Sequence, residues 1–116
     1  MRKYKDLKIW IRSVDLTTSI YKLTSGFPAE EKYGLVSQMR RCSISIPSNI
    51  AEGAGRSSDK EFKRFLDIAY GSLYELQTQL IVSTKLSLVD ELTSNKIENE
   101  IIEIQKMLYT YAQRFT

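Results

Sequence analysis

Residues 45–58 read SIPSNIAEGAGRSS, and the fold of the chain depends on whether Gly53 and Gly55 cradle a phosphate or connect two helices. A P-loop needs Gly-x-x-x-x-Gly-Lys-Ser/Thr after a strand, and a dinucleotide fold needs Gly-x-Gly-x-x-Gly in the same setting. Gly53-Ala54-Gly55-Arg56-Ser57-Ser58 has neither the lysine nor the third glycine, and helical spacing precedes it. The stretch therefore reads as a helix end, where Gly53 or Gly55 can take positive φ, followed by a helix start at Ser57 or Ser58. Ser58 and Glu61 match a capping box, in which hydroxyl and carboxylate each satisfy an orphan backbone N–H.

Upstream of that turn, Leu35, Met39, Cys42 and Ile46 recur at steps of four and three, and Pro28 fits the first turn of the helix they define. Pro47 lacks a donor and its ring crowds the carbonyl of Ser43. A kink near 43–47 is expected, with the hydroxyls of Ser43, Ser45 and Ser48 serving the freed backbone groups. Downstream, Phe62, Leu66, Ala69, Leu73, Leu76 and Leu80 keep a heptad rhythm along a third helix from 59 to about 86, roughly 42 Å long at 1.5 Å per residue. Leu80–Thr84 is the best strand candidate, but it continues that rhythm. A fourth helix is expected after Asp90, with Ile97, Ile101, Ile104, Leu108 and Tyr111 inward. The first is expected after Asp6, running to about Ser25 with Leu7, Trp10, Val14, Tyr21 and Leu23 inward, and ending at Gly26. Four long helices with short connections predict an all-α, antiparallel up-down four-helix bundle, one domain over residues 1–116.

The chain has no histidine and a single cysteine, Cys42. It therefore lacks the commonest general base, any Ser-His or Cys-His nucleophile, a cysteine zinc site and an intrachain disulfide. No catalytic residue, metal or cofactor is expected. Glu52 and Glu75 are the most plausible inward acids for a carboxylate-only magnesium site, although Glu52 reads first as an ion pair with Arg56. No apolar run approaches the length of a membrane span, and the first residues lead into an amphipathic pattern, so a cytoplasmic protein without a membrane partner is expected.

Charge is distributed unevenly. Residues 1–64 carry 13 basic and 7 acidic side chains, whereas residues 65–116 carry 4 and 7. Arg40 and Arg41 have no acidic residue three or four positions away. Lys60 and Arg64 lie one turn apart, and Lys5, Lys8 and Arg12 follow one face of the first helix. With Arg56, these eight form a candidate phosphate surface for RNA or another polyanion. The opposing reading is a protein-interaction scaffold whose basic residues are structural. Gly71, inside a helix at a cost of about 1 kcal/mol relative to alanine, sits beside Tyr70 and Tyr74. That grouping suggests close helix approach, within the bundle or between subunits, in preference to base stacking. Trp10, Phe27 and Tyr33 read as packing anchors.

Several stretches carry a resemblance to a known family. Phe27–Leu35, Gln38–Arg41 and Ser43–Gly53, continuing through Arg56, Glu61-Phe62, Phe65-Leu66, Ile68-Ala69, Gly71-Ser72 and Glu75-Leu76, closely resemble the proteins encoded in 23S rRNA intervening sequences, also labelled the S23 ribosomal protein family. Asn49-Ile50-Ala51-Glu52-Gly53 with Ala69-Tyr70-Gly71-Ser72 is the specific combination. The resemblance implies a four-helix bundle assembled as a homopentameric ring with a largely undefined role. A related branch, the accessory proteins of diversity-generating retroelements, forms basic pentameric barrels that engage RNA and a reverse transcriptase. On that basis the expected partners are other copies of this chain, five subunits preferred, with Tyr70, Gly71 and Tyr74 in the contact. A basic patch copied around a ring would add phosphate contacts with little sequence selectivity.

Overall fold

A computed structural model describes residues 2–115. Four helices make the fold: α1 (Lys8–Thr24), α2 (Leu35–Ala54), α3 (Asp59–Lys85) and α4 (Glu91–Ala112). Single 3-10 turns lie at Tyr4–Asp6, Ala29–Glu31 and Gln113–Phe115, and no strand occurs among the described residues. α1 packs on α2 and α4, and α3 packs on the same two, with no close backbone approach across either diagonal. The result is an antiparallel up-down bundle measuring 43 × 24 × 20 Å.

The predicted stripes of α3 and α4 form the core: Phe62, Leu66, Ala69, Leu73, Leu76, Leu80, Ile101, Ile104 and Leu108 are fully buried. They meet Met39, Cys42, Ile46 and Ile50 of α2. In α1 the buried face is rotated from the expected one. Ile9, Ser13, Leu16, Ile20 and Thr24 point inward, while Leu7, Trp10, Val14 and Leu23 are half-buried and Tyr21 is exposed. Two polar residues disguise this stripe, and both are satisfied locally. Ser13 Oγ donates to Trp10 O at 2.9 Å, and Thr24 Oγ1 donates to Ile20 O at 2.7 Å.

Helix ends depart from expectation in several places. Asp6 lies in the first 3-10 turn, and α1 starts at Lys8 without a side-chain cap. Pro28 precedes the Ala29–Glu31 turn rather than α2, which begins at Leu35. By contrast, Ser58 Oγ accepts from Glu61 N at 3.1 Å, and Asp90 Oδ2 accepts from Thr93 N at 3.0 Å. The reciprocal half of the capping box takes another form, because Glu61 Oε2 accepts from the Ser58 hydroxyl at 3.5 Å.

No described glycine has positive φ. Gly53 lies inside α2, and Gly55 ends it with φ −82°, donating to Ala51 O and Glu52 O. The role of Gly53 is proximity: a Cβ there would sit 2.5 Å from Phe65 Cβ. Among the described residues the left-handed one is instead Ser87, φ 62°. It closes α3 as Ser87 N donates to Thr84 O and Leu88 N to Ser83 O, both at 2.9 Å, in a Schellman arrangement. Pro47 is accommodated from outside its own helix. Thr17 Oγ1 of α1 lies 2.9 Å from Ser43 O, the carbonyl that Pro47 cannot serve. Ser43 and Ser45 instead donate one turn back, to Arg40 O and Cys42 O.

Candidate nucleic-acid interface

The start of α1, the end of α2, the start of α3 and the end of α4 share one end of the bundle. Arg2 pairs there with Asp59 and lies over the Phe62 ring at 4.5 Å, and Phe62 meets Phe115 at 4.8 Å. The segments converging on this end, residues 2–8, 52–67 and 106–115, hold ten basic and five acidic side chains. The remaining residues hold seven and nine. The excess seen along the sequence thus becomes polarity along the bundle, with one basic end.

The eight candidate cations divide into two groups. Lys5, Lys8, Lys60, Arg64 and Arg41 are exposed, and none has an ion pair or hydrogen bond among the described residues. Arg12, Arg40 and Arg56 are engaged within the chain. Arg12 donates from Nε and Nη2 to Glu100 at 3.0 and 2.7 Å and from Nη1 to Glu103 at 2.5 Å, tying α1 to α4. These hydrogen bonds hold the guanidinium firmly charged and lower the Glu103 pKa. Arg40 closes the end of α1, donating to Thr24 Oγ1 at 2.9 Å and to Tyr21 O at 3.2 Å while lying over the Tyr21 ring. Its partners are remote in sequence, so spacing along its own helix could not show them. Arg56 lies over Phe65 at 4.7 Å, with Glu52 at 3.9 Å.

Arg41 also stands apart from the other unpaired cations. The Ser45 and Ser72 hydroxyls, 2.9 Å apart, fix the register of α2 against α3. Arg41 lies four residues from Ser45 toward one end of the bundle, and Arg64 eight residues from Ser72 toward the other. The axial gap is therefore about 18 Å at 1.5 Å per residue. Lys60 and Arg64, with Lys5 and Lys8, belong to the basic end; Arg41 does not.

The aromatic candidates separate as well. Gly71 is exposed, and a Cβ there would meet nothing within 4 Å, so close packing inside the bundle does not explain it. It shares a solvent-facing stripe with Arg64, Ile68, Glu75, Thr78 and Val82. Tyr70 meets Tyr109 of α4, and Tyr74 packs against Tyr70. The Tyr70 hydroxyl lies 3.1 Å from that of Tyr74, and this hydrogen bond raises the Tyr70 pKa. Tyr109 is absent from the sequence-based candidates because only the α3/α4 packing brings it to Tyr70. Tyr33, expected as an anchor, is 86% exposed.

Glu52 and Glu75 both lie at the surface, contrary to their expected inward placement, and no three His, Cys, Asp or Glu side chains converge on a metal-sized site among the described residues. Cys42 is buried, and desolvation followed by the charge of Glu75 pushes its thiol up to about 12.

A sequence profile of the 23S rRNA-intervening sequence protein matches residues 5–110. The chain belongs to that family. The family fold is also recognisable in three dimensions. The bundle is similar to the crystal structure of a protein of unknown function from the S23 ribosomal protein family of Bacteroides thetaiotaomicron VPI-5482, with a TM-score of 0.84 over 90% of this chain and 95% of that one. At 24% identity, that likeness concerns the fold. No curated protein matches the sequence.

Proposed function

We propose that this family member is a non-enzymatic, self-assembling bundle that binds RNA or another polyanion through its basic end, acting in the cytoplasm as an accessory or adaptor protein. The observation that carries the reading is the convergence of Lys5, Lys8, Lys60 and Arg64, exposed and without partners, on one end of a polarised bundle. Lysine point charges and arginine forks suit phosphates and carry no base code, so affinity should exceed selectivity. Assembly multiplies the effect: five copies around a ring would present twenty such cations to one polymer. Gly71 supports self-association, since a helix-interior glycine costs about 1 kcal/mol and nothing in its own chain fills the space beside it. Exposed Ile44, Ile68 and Val82 on α2 and α3 add apolar surface for the same contact.

The second reading is a protein-interaction scaffold, favoured by Arg12, Arg40 and Arg56, which have structural partners. Light scattering together with RNA titration at several salt concentrations separates the two. The RNA reading predicts an oligomer, five subunits preferred, whose log affinity falls linearly with log salt as counterions are released. An intact oligomer that binds no RNA at low salt favours the scaffold. A strictly monomeric mass removes the multiplicity.

A further inference from the structure

The RNA reading above leaves unassigned the aromatic cluster where α3 and α4 face solvent. Tyr70 and Tyr74 sit edge to face with ring centroids 5.2 Å apart, and Tyr109 adds a third ring 5.9 Å from Tyr70. Tyr74 is 48% exposed and Tyr109 55%. We infer that Tyr70, Tyr74 and Tyr109 form a stacking platform for the unpaired bases of single-stranded RNA. The inference rests on the RNA reading and adds the strandedness of the ligand.

Three features support it. The rings are braced by one another and by the hydroxyl pair, so little conformational freedom remains to be lost when a base lands on them. The platform also continues from the basic end. On α3, Lys63 shares the face of Tyr70 and Tyr74, paired there with Asp67 at 2.8 Å, and unpaired Lys60 and Arg64 lie to one side of it, Arg64 at the head of the Gly71 stripe, about 15 and 9 Å from Tyr70 along the helix axis at 1.5 Å per residue. A few extended nucleotides cover that separation, with phosphates on the cations and bases on the rings. Finally, Ile68 and Val82 lie on the neighbouring Gly71 stripe, which leaves the aromatic surface separate from the apolar surface suited to another subunit. A duplex keeps its bases stacked internally and cannot use the rings, whereas a single strand can.

The test compares oligoadenylate with an RNA duplex of equal length at one salt concentration, using the full chain and its Tyr74→Leu, Tyr109→Leu, Tyr74→Phe and Tyr109→Phe variants. Each leucine variant should lose about fivefold or more in affinity for the single strand, the scale of one stacked base. The phenylalanine variants should keep their affinity, and duplex binding and oligomer mass should stay unchanged. In the unsubstituted protein, the Tyr74 and Tyr109 ring proton resonances should shift on adding oligoadenylate and stay in place on adding duplex, a readout independent of how the variants fold. If the wild type binds both ligands and the leucine variants match it, the phosphate surface stands and the platform does not. A fall in oligomer mass in the leucine variants assigns the cluster to a subunit contact and overturns the inference. A wild type that binds neither ligand overturns the RNA reading and this inference together.

Discussion

Gly53 and Gly71 both occupy helix interiors, yet alanine should act on them with opposite sign. At Gly53 the new methyl would lie 2.5 Å from Phe65 Cβ, 3.1 Å from Phe62 Cδ1 and 3.3 Å from Phe65 Cγ. The nearest of these is bonded directly to the α3 backbone, so rotating a side chain cannot relieve it. α2 and α3 must part by about 1 Å to restore van der Waals contact, and overpacking of this kind costs about 1–3 kcal/mol. Replacing a helical glycine returns about 1 kcal/mol. Because the clash is severe, the cost should fall in the upper part of its range, leaving a net loss of about 1–2 kcal/mol for Gly53→Ala. At Gly71 the propensity gain acts alone within the subunit, and Gly71→Ala should add about 0.5–1 kcal/mol. Urea unfolding followed by far-UV circular dichroism, at a protein concentration low enough to dissociate the subunits, reads both. With a slope of about 1.5 kcal/mol/M, Gly53→Ala should lower the midpoint by about 1 M and Gly71→Ala should raise it by about 0.5 M. A Gly53→Ala midpoint at or above wild type would refute the close approach of α2 to Phe65. A Gly71→Ala midpoint below wild type in the dissociated subunit would refute the open space beside it, whereas a fall in oligomer mass at higher protein concentration is the outcome the proposed subunit contact predicts.

Three further outcomes are expected from the helix ends and the α1/α4 tie. Ser58→Ala should cost about 0.5–2 kcal/mol in the same unfolding assay through loss of the α3 cap. Ser87→Gly should raise the stability by a few tenths to about 1 kcal/mol, because glycine takes φ 62° without the Cβ penalty that serine carries. Acid should loosen the fold through Glu103, whose pKa is lowered from 4.5 by its hydrogen bond and charge interaction with Arg12. A lowered carboxylate pKa contributes stability that is full above 4.5 and is lost as pH falls through the folded value. Arg12→Met should therefore flatten the melting temperature against pH below 4.5, and an unchanged acid slope would refute the assignment.

Much of this architecture is legible in the sequence because α3 and α4 repeat large aliphatic side chains at helical spacing and carry their own caps, Ser58 and Asp90. α1 is harder to read. Its buried stripe contains Ser13 and Thr24, whose hydroxyls are satisfied by backbone carbonyls one turn earlier, so hydropathy points to a neighbouring face. The accommodation of Pro47 by Thr17 and the capping of α1 by Arg40 are tertiary contacts that no local spacing encodes. For the same reason, pairing rules confined to one helix offer Arg12 only Asp15 and could bring neither Glu100 and Glu103 to it nor Tyr109 to Tyr70. Lys60 and Arg64 remain candidates because both are exposed at the start of α3: Lys60 has no acidic residue three or four positions away, and Arg64 pairs with neither Glu61 nor Asp67, the latter being held by Lys63.

The most direct test of the basic-end account is the affinity for single-stranded RNA of the Lys5→Glu, Lys60→Glu, Arg64→Glu triple variant, set beside Arg41→Glu and wild type at one salt concentration. The account predicts at least a tenfold loss for the triple variant, with helicity and oligomer mass intact, because several phosphate contacts are lost in every subunit. Arg41→Glu, about 18 Å along the axis from Arg64, should remain within about twofold of wild type. A triple variant that stays folded and assembled and binds RNA as tightly as wild type would contradict it.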